Sequence, residues 1–121
     1  MIVNVSSMAA TIGGRPGSSH YAASKAAVDA YTVGLAKEVA PEGIRAVSVR
    51  PGFTVTDMAN AQLSDLAFAA AIRASIPMER PARAEEIAAP IAWLLSDDAS
   101  FVSGACLDVS GGGFVVGSRS S

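Results

Sequence analysis

Cysteine, histidine and tryptophan each occur once in the 121 residues, and charged side chains fill only 17% of positions. With Cys106 alone, no disulfide can close within the chain. One histidine and one cysteine also leave no set of ligands for a metal, and none is expected. The net charge of −2 gives no basic footprint for nucleic acid. No apolar run reaches the ~18 residues that a membrane span requires. The apolar stretch Met1–Val5 is short and lacks a basic flank, so no signal peptide is expected and a cytoplasmic setting is.

What is abundant is small and apolar. Half the residues are hydrophobic, which with so little charge argues against disorder and for one packed domain. That domain is expected to span residues 1–117, with Ser118–Ser121 as a frayed tail.

The order of elements points to an α/β layer with parallel strands. Ile2–Val5 reads as a strand, stopped by Ser6-Ser7, and residues 8–19 read as a loop with a Pro16-Gly17 turn. A long helix is predicted from about His20 to Ala40, capped by Ser18 or Ser19 and ended by Pro41-Glu42-Gly43. Ile44–Val49 is the second strand, stopped by Pro51-Gly52. Residues 53–63 are irregular with a short helical piece; Ser64–Ser75 and Ala84–Leu95 are helical, the latter with Pro90 expected to bend it or cost a hydrogen bond. Residues 97–103 read as a loop, and Ala105–Val109 as a third strand before Gly111-Gly112-Gly113.

One pair on the long helix stands out. Tyr21 and Lys25 are four apart and share a helical face with Val28, Thr32, Leu35 and Val39, a stripe that predicts the buried side. A free phenol titrates near ~10, and a neighbouring ammonium favours its ionised form. Such a phenol suits proton donation to a carbonyl or proton removal from an alcohol. The bland alternative is a core aromatic beside a lysine that reaches to water. Tyr31, with Leu35 at the same offset, has no such partner. Ser7 ends the first strand 14 residues before Tyr21, and Pro51-Gly52 ends the second, with Thr56 four residues on. Ligand sites in open α/β sheets lie at these carboxyl ends.

The segments VNVSS, YAASK, GLAKEVAPEGIR, VRPGFTVTDM, EEIAAPIAWLLSDDASFVSG and LDVSGG together resemble the short-chain dehydrogenase/reductase family. The likeness runs from Ile2 to about Gly113 and implies the second half of a Rossmann-type doubly wound parallel sheet, about three strands with flanking helices. It implies an oxidoreductase that interconverts a small-molecule alcohol and ketone with NAD or NADP. By resemblance Tyr21 is the catalytic acid/base, Lys25 assists it and contacts the nicotinamide ribose, and Ser7 polarises the substrate oxygen. Tyr21 and Lys25 thus count also as cofactor-binding, and Pro51, Gly52, Thr54 and Thr56 line the nicotinamide end. A homo-oligomer is implied as well.

Four features depart from the family pattern. The Ser7–Tyr21 spacing is one longer than usual, Thr54 replaces an aliphatic residue, Val47 an asparagine and Ser110 an aspartate. The family's glycine-rich phosphate loop and its catalytic asparagine have no counterpart here. The chain is therefore expected to be a truncated form, poorly stable alone or paired through its first strand with a chain that supplies the missing half. A non-catalytic remnant that serves as a subunit-interaction module is the alternative reading. Cys106 is expected to be a small buried thiol without catalytic partners, and His20 a polar residue at the helix start.

Overall fold

A computed structural model of the chain describes residues 1–114; the expected tail Ser118–Ser121 and residues 115–117 lie outside them. Three strands, β1 (Ile2–Val5), β2 (Ala46–Pro51) and β3 (Cys106–Val109), form a parallel sheet in the order β1-β2-β3. The register aligns Ile2 with Ala46 and Val5 with Val49, and Ser48 with Cys106 and Pro51 with Val109. Parallel neighbours need long crossovers, and helices supply them. Between β1 and β2 lie α1 (Ala9–Ile12) and α2 (Ser19–Val39); between β2 and β3 lie α3 (Asp57–Leu63), α4 (Leu66–Ser75) and α5 (Ala84–Leu95). The expected partial doubly wound sheet is the one observed.

Alternation along the strands sends successive side chains to opposite faces. On one face Val3, Val47, Val49 and Val109 pack with Ile91 and Leu94 of α5, and with Ala99, Val102 and Ala105. On the other face the strands present polar groups to α2. Asn4 donates to Thr32 (2.9 Å), and Thr32 in turn donates to the Val28 carbonyl (2.7 Å). Ser48 donates to Asp29 (2.5 Å), and Arg50 lies 3.4 Å from the second Asp29 oxygen. Arg50 also grips Asp108 of β3 (2.7 Å), and that bond above all holds its guanidinium more firmly protonated than usual. The sheet is thus apolar toward α5 and hydrogen-bonded toward α2.

The buried face of α2 differs from the expected stripe. Its fully buried residues are Ala22, Asp29, Thr32 and Ala36, while Val28, Leu35 and Val39 are half-buried and Tyr21 is 44% exposed. Small side chains let the helix lie close to the sheet, and the Asp29 carboxylate is buried because Ser48 and Arg50 satisfy it. A periodicity that weighs apolar size passes over alanine and aspartate, and so places the face one residue off.

Several boundaries shift slightly. Residues 9–12, expected in a loop, form the single-turn α1, closed by Gly13 at φ 81°, whose N–H donates to Ala9 (2.9 Å). The strand expected from Ile44 begins at Ala46 and runs through Pro51. Helix α4 starts at Leu66, capped by Asp65, whose carboxylate accepts from the N–H groups of Ala67 and Phe68. Residues 97–99, expected in a loop, make a 3-10 turn. Helix α5 continues through Pro90, which donates nothing to the Glu86 carbonyl. At its C-terminal end Arg45 donates to the carbonyls of Leu94 (3.1 Å), Ser96 (3.2 Å) and Val102 (3.3 Å), placing a cation on the negative end of the helix.

The start of α5 carries a pH-sensitive contact. Arg80 donates to both oxygens of Glu86 (2.6 and 2.8 Å), and the Arg83 backbone N–H donates to one of them (3.0 Å). The Arg80 bond first, and the Arg83 bond next, hold the Glu86 carboxyl down at about 2, against 4.5 ordinarily. The folded value lies below the unfolded one, so this contribution is complete above about pH 4.5 and is lost as pH falls toward 2. The melting temperature of Glu86→Gln is expected below that of the parent at pH 7, with the gap closing through this window. A gap independent of pH would show that the carboxylate does not tie down the helix start.

Among the described residues no helix is long and apolar enough to cross a membrane. The flank of β1 opposite β2 has no strand beside it among the described residues, and Val5 is half exposed.

Candidate active site

The carboxyl ends of all three strands open on one side of the sheet. Ser6 and Ser7 leave β1, Pro51 and Gly52 leave β2, and Ser110 leaves β3. Backbone bonds hold the first two exits together: Ser6 N–H donates to Val49 (2.7 Å) and Met8 N–H to Pro51 (3.0 Å). Gly52 N–H donates to Val109 (2.9 Å), which draws the third exit alongside. A cavity of about 600 Å³ opens above them.

Ser7 and Tyr21 both line this cavity. The Ser7 oxygen accepts from the Ala9 N–H (3.1 Å), a turn that opens α1 and fixes the side chain. Its hydroxyl proton remains free to be donated in another direction. Tyr21 stands in the first turn of α2, reached through the 13–18 loop. Lys25, one turn on, places its ammonium 5.7 Å from the centroid of the Tyr21 ring. The same ammonium donates to the Val5 carbonyl (3.1 Å), and Ser6, fully buried, donates to the Lys25 carbonyl (3.1 Å). Two reciprocal bonds therefore tie the Lys25 turn of α2 to the end of β1, and they fix how Ser7 and Tyr21 approach one another. Ser6 was legible in the sequence only as the neighbour of Ser7; its role comes from burial.

Pro51, Gly52 and Thr54 share the same cavity wall, and Thr54 donates to the Gly52 carbonyl (3.1 Å), shaping the turn. Thr56 does something else. Its hydroxyl accepts from the Ala59 N–H (3.1 Å) as the N-cap of α3, and it is not part of the cavity wall. Lys25 likewise lies outside the wall, beside the phenol. His20 is exposed and is not in the wall. Cys106 is half-buried; burial first, and the charge of Asp29 next, push its thiol up, which disfavours the nucleophilic thiolate.

The remaining walls come mainly from residues 8–20 and 53–77, segments the sequence marks for substrate selection without singling out residues. Met8 and Ile12 from one side and Phe53, Ile72 and Ile76 from the other are apolar, and Arg15 is charged. These residues come from the segments between strands, where no periodicity announces which side chains converge.

Gly52 has a steric reason to be glycine. A Cβ there would stand 2.8 Å from the Ser110 Cα and 2.9 Å from its Cβ, so the two strand exits would have to separate. Gly52→Ala is expected to cost about 1–3 kcal/mol of stability in urea unfolding, as overpacking does. An unchanged midpoint would show that the exits are not closely apposed.

A family model described as enoyl-(acyl carrier protein) reductase matches residues 1–113. The uncharacterised oxidoreductase YgfF of Escherichia coli K12 is 48% identical over 111 residues, covering 92% of this chain and 44% of that protein. Two solved structures are similar. One is a protein assigned provisionally as an NAD(P)-dependent gluconate 5-dehydrogenase from Beutenbergia cavernae, with bound NADP (TM-score 0.83, 42% identity, 91% of this chain and 44% of that one). The other is a short-chain dehydrogenase/reductase, a glucose/ribitol dehydrogenase from Brucella melitensis (TM-score 0.82, 36% identity, 92% and 44%). The chain thus spans less than half the length of these relatives. Matched nearly end to end in sequence and in fold, the chain belongs to the short-chain dehydrogenase/reductase family of oxidoreductases.

Proposed function

We propose that this cavity interconverts an alcohol and a carbonyl compound with NAD or NADP, and that Ser7, Tyr21 and Lys25 carry the chemistry. The observation that supports it is the presence of Ser7 and Tyr21 in one cavity wall at the strand ends, with the Lys25 ammonium beside the phenol. In the reducing direction Tyr21 gives its proton to the carbonyl oxygen, and Ser7 donates a hydrogen bond to the same oxygen. Lys25 sets a positive charge beside the oxyanion that proton donation leaves on Tyr21. Its bond to Val5 keeps the ammonium from swinging away. In the oxidising direction the same groups act in reverse.

The residues present fit one end of a dinucleotide. Pro51, Gly52 and Thr54 lie in the wall shared with Ser7 and Tyr21, where they would flank a nicotinamide. Lys25 and Tyr21 would meet its ribose. The nicotinamide, when bound, supplies or accepts the hydride. The diphosphate normally rests on a helix N-terminus after a glycine-rich turn. Among the described residues, Gly13-Gly14 follow the four-residue α1, and Gly111–Gly113 follow β3 with no helix after them. That end of the cofactor would rest on segments other than the described residues.

Titration with NADH and with NADPH, followed by nicotinamide fluorescence, tests the reading. Saturable binding is expected with at least one of them. No binding of either, with the fold intact, would favour the non-catalytic interaction module.

A further inference from the structure

Resting on that reading, we propose that Arg15 is the anion-binding residue of the cavity and that the substrate carries a carboxylate or similar anionic group. Seventeen of the described residues line the cavity, and among them Arg15 is the only charged one. The rest are apolar, glycine or proline, or bear hydroxyls. No described ion pair includes Arg15, whereas Arg50, Arg80 and Arg83 each have a carboxylate. The second cavity, about 510 Å³, makes the contrast plain. Arg80, Glu86 and Asp108 are in its wall, but Arg80 and Glu86 neutralise each other and Asp108 is held by Arg50.

Arg15 is also held in place. Its guanidinium lies 5.5 Å from the centroid of Phe53 and 5.3 Å from that of Phe68, and the two rings meet edge-on at 6.1 Å. Phe53 follows β2 and Phe68 belongs to α4, so the cation, on an exposed residue, reaches from the loop before α2 to the opposite wall. Contacts to ring faces leave the planar fork of N–H donors unbonded, and that fork matches a carboxylate. Ordering the cation before binding lowers the entropy cost of capture. Met8, Ile12, Ile72 and Ile76 suit the carbon body of such a substrate, while Ser7 and Tyr21 receive its oxygen.

Calorimetric titration of the whole chain with 2-oxo-4-phenylbutanoate and with its ethyl ester tests this. The pair shares a skeleton and differs in charge. The acid is expected to bind ~10-fold tighter at low salt, with the preference shrinking as salt rises. Arg15→Gln is expected to bring the acid down to the level of the ester while leaving the ester within about twofold, and Arg15→Lys to restore part of the preference. Equal binding of acid and ester, a preference unchanged in Arg15→Gln, or no binding of either would overturn the proposal. Failure of the oxidoreductase reading shows elsewhere, as absent nicotinamide binding with the acid preference intact.

Discussion

Tyr21→Phe is expected to lower turnover by ~10²–10⁴-fold, the span of a positioned general acid, while leaving fold and nicotinamide affinity nearly unchanged. The substitution removes one oxygen and keeps the ring. The ring sits at the cavity wall and is 44% exposed, so its loss of a hydroxyl leaves no buried gap. The Lys25 ammonium keeps its bond to Val5, so the first turns of α2 keep their place on β1. The proton source disappears, and of the proposed ribose contacts Lys25 remains. Initial rates at saturating carbonyl substrate and reduced nicotinamide give the result, with circular dichroism as the control on folding. Turnover within threefold of the parent would remove Tyr21 from the mechanism.

Asp29→Ala is expected to have the largest effect on stability, a loss of about 2–3 kcal/mol. Asp29 is buried between α2 and the sheet, where it accepts from Ser48 and faces Arg50. Without it the fully buried Ser48 hydroxyl has no acceptor there. Arg50 keeps Asp108, which limits the loss. Asp29→Asn, which retains an acceptor for Ser48, is expected to cost less than the alanine variant. Urea unfolding of both variants checks the order. Equal losses would mean that charge toward Arg50, rather than the acceptor for Ser48, governs the site.

Both predictions depend on α2, and α2 shows where sequence reasoning succeeds and where it stops. Its extent followed from local chemistry, alanines within and Pro41 with Gly43 after it, although Ser18 at its start makes no side-chain cap bond and Ser19 is already helical. The juxtaposition of Tyr21 and Lys25 followed from helical spacing alone. The parallel sheet followed from strands alternating with helices. The face that α2 buries did not follow, because it is built from Ala22, Ala36 and a carboxylate, residues that hydropathy does not mark as core. Asp29 could be read as buried only once Ser48 and Arg50, about 20 residues on, were seen to meet it. Arg15 was hidden for the same reason. Its partners Phe53 and Phe68 are distant in the chain, and nothing local pairs a loop arginine with them. Thr56, placed at the nicotinamide end by resemblance, has a second task that its position before Asp57 allowed but did not announce: its hydroxyl caps α3.

The central claim is that Ser7 and Tyr21 act on the same substrate oxygen. A double-mutant cycle on turnover tests it most directly, using Ser7→Ala, Tyr21→Phe and the pair together. Groups that work as one unit give a double variant little slower than the slower single one. If instead the two losses multiply, the hydroxyl and the phenol serve separate steps, and a shared oxygen at the mouth of this sheet is contradicted.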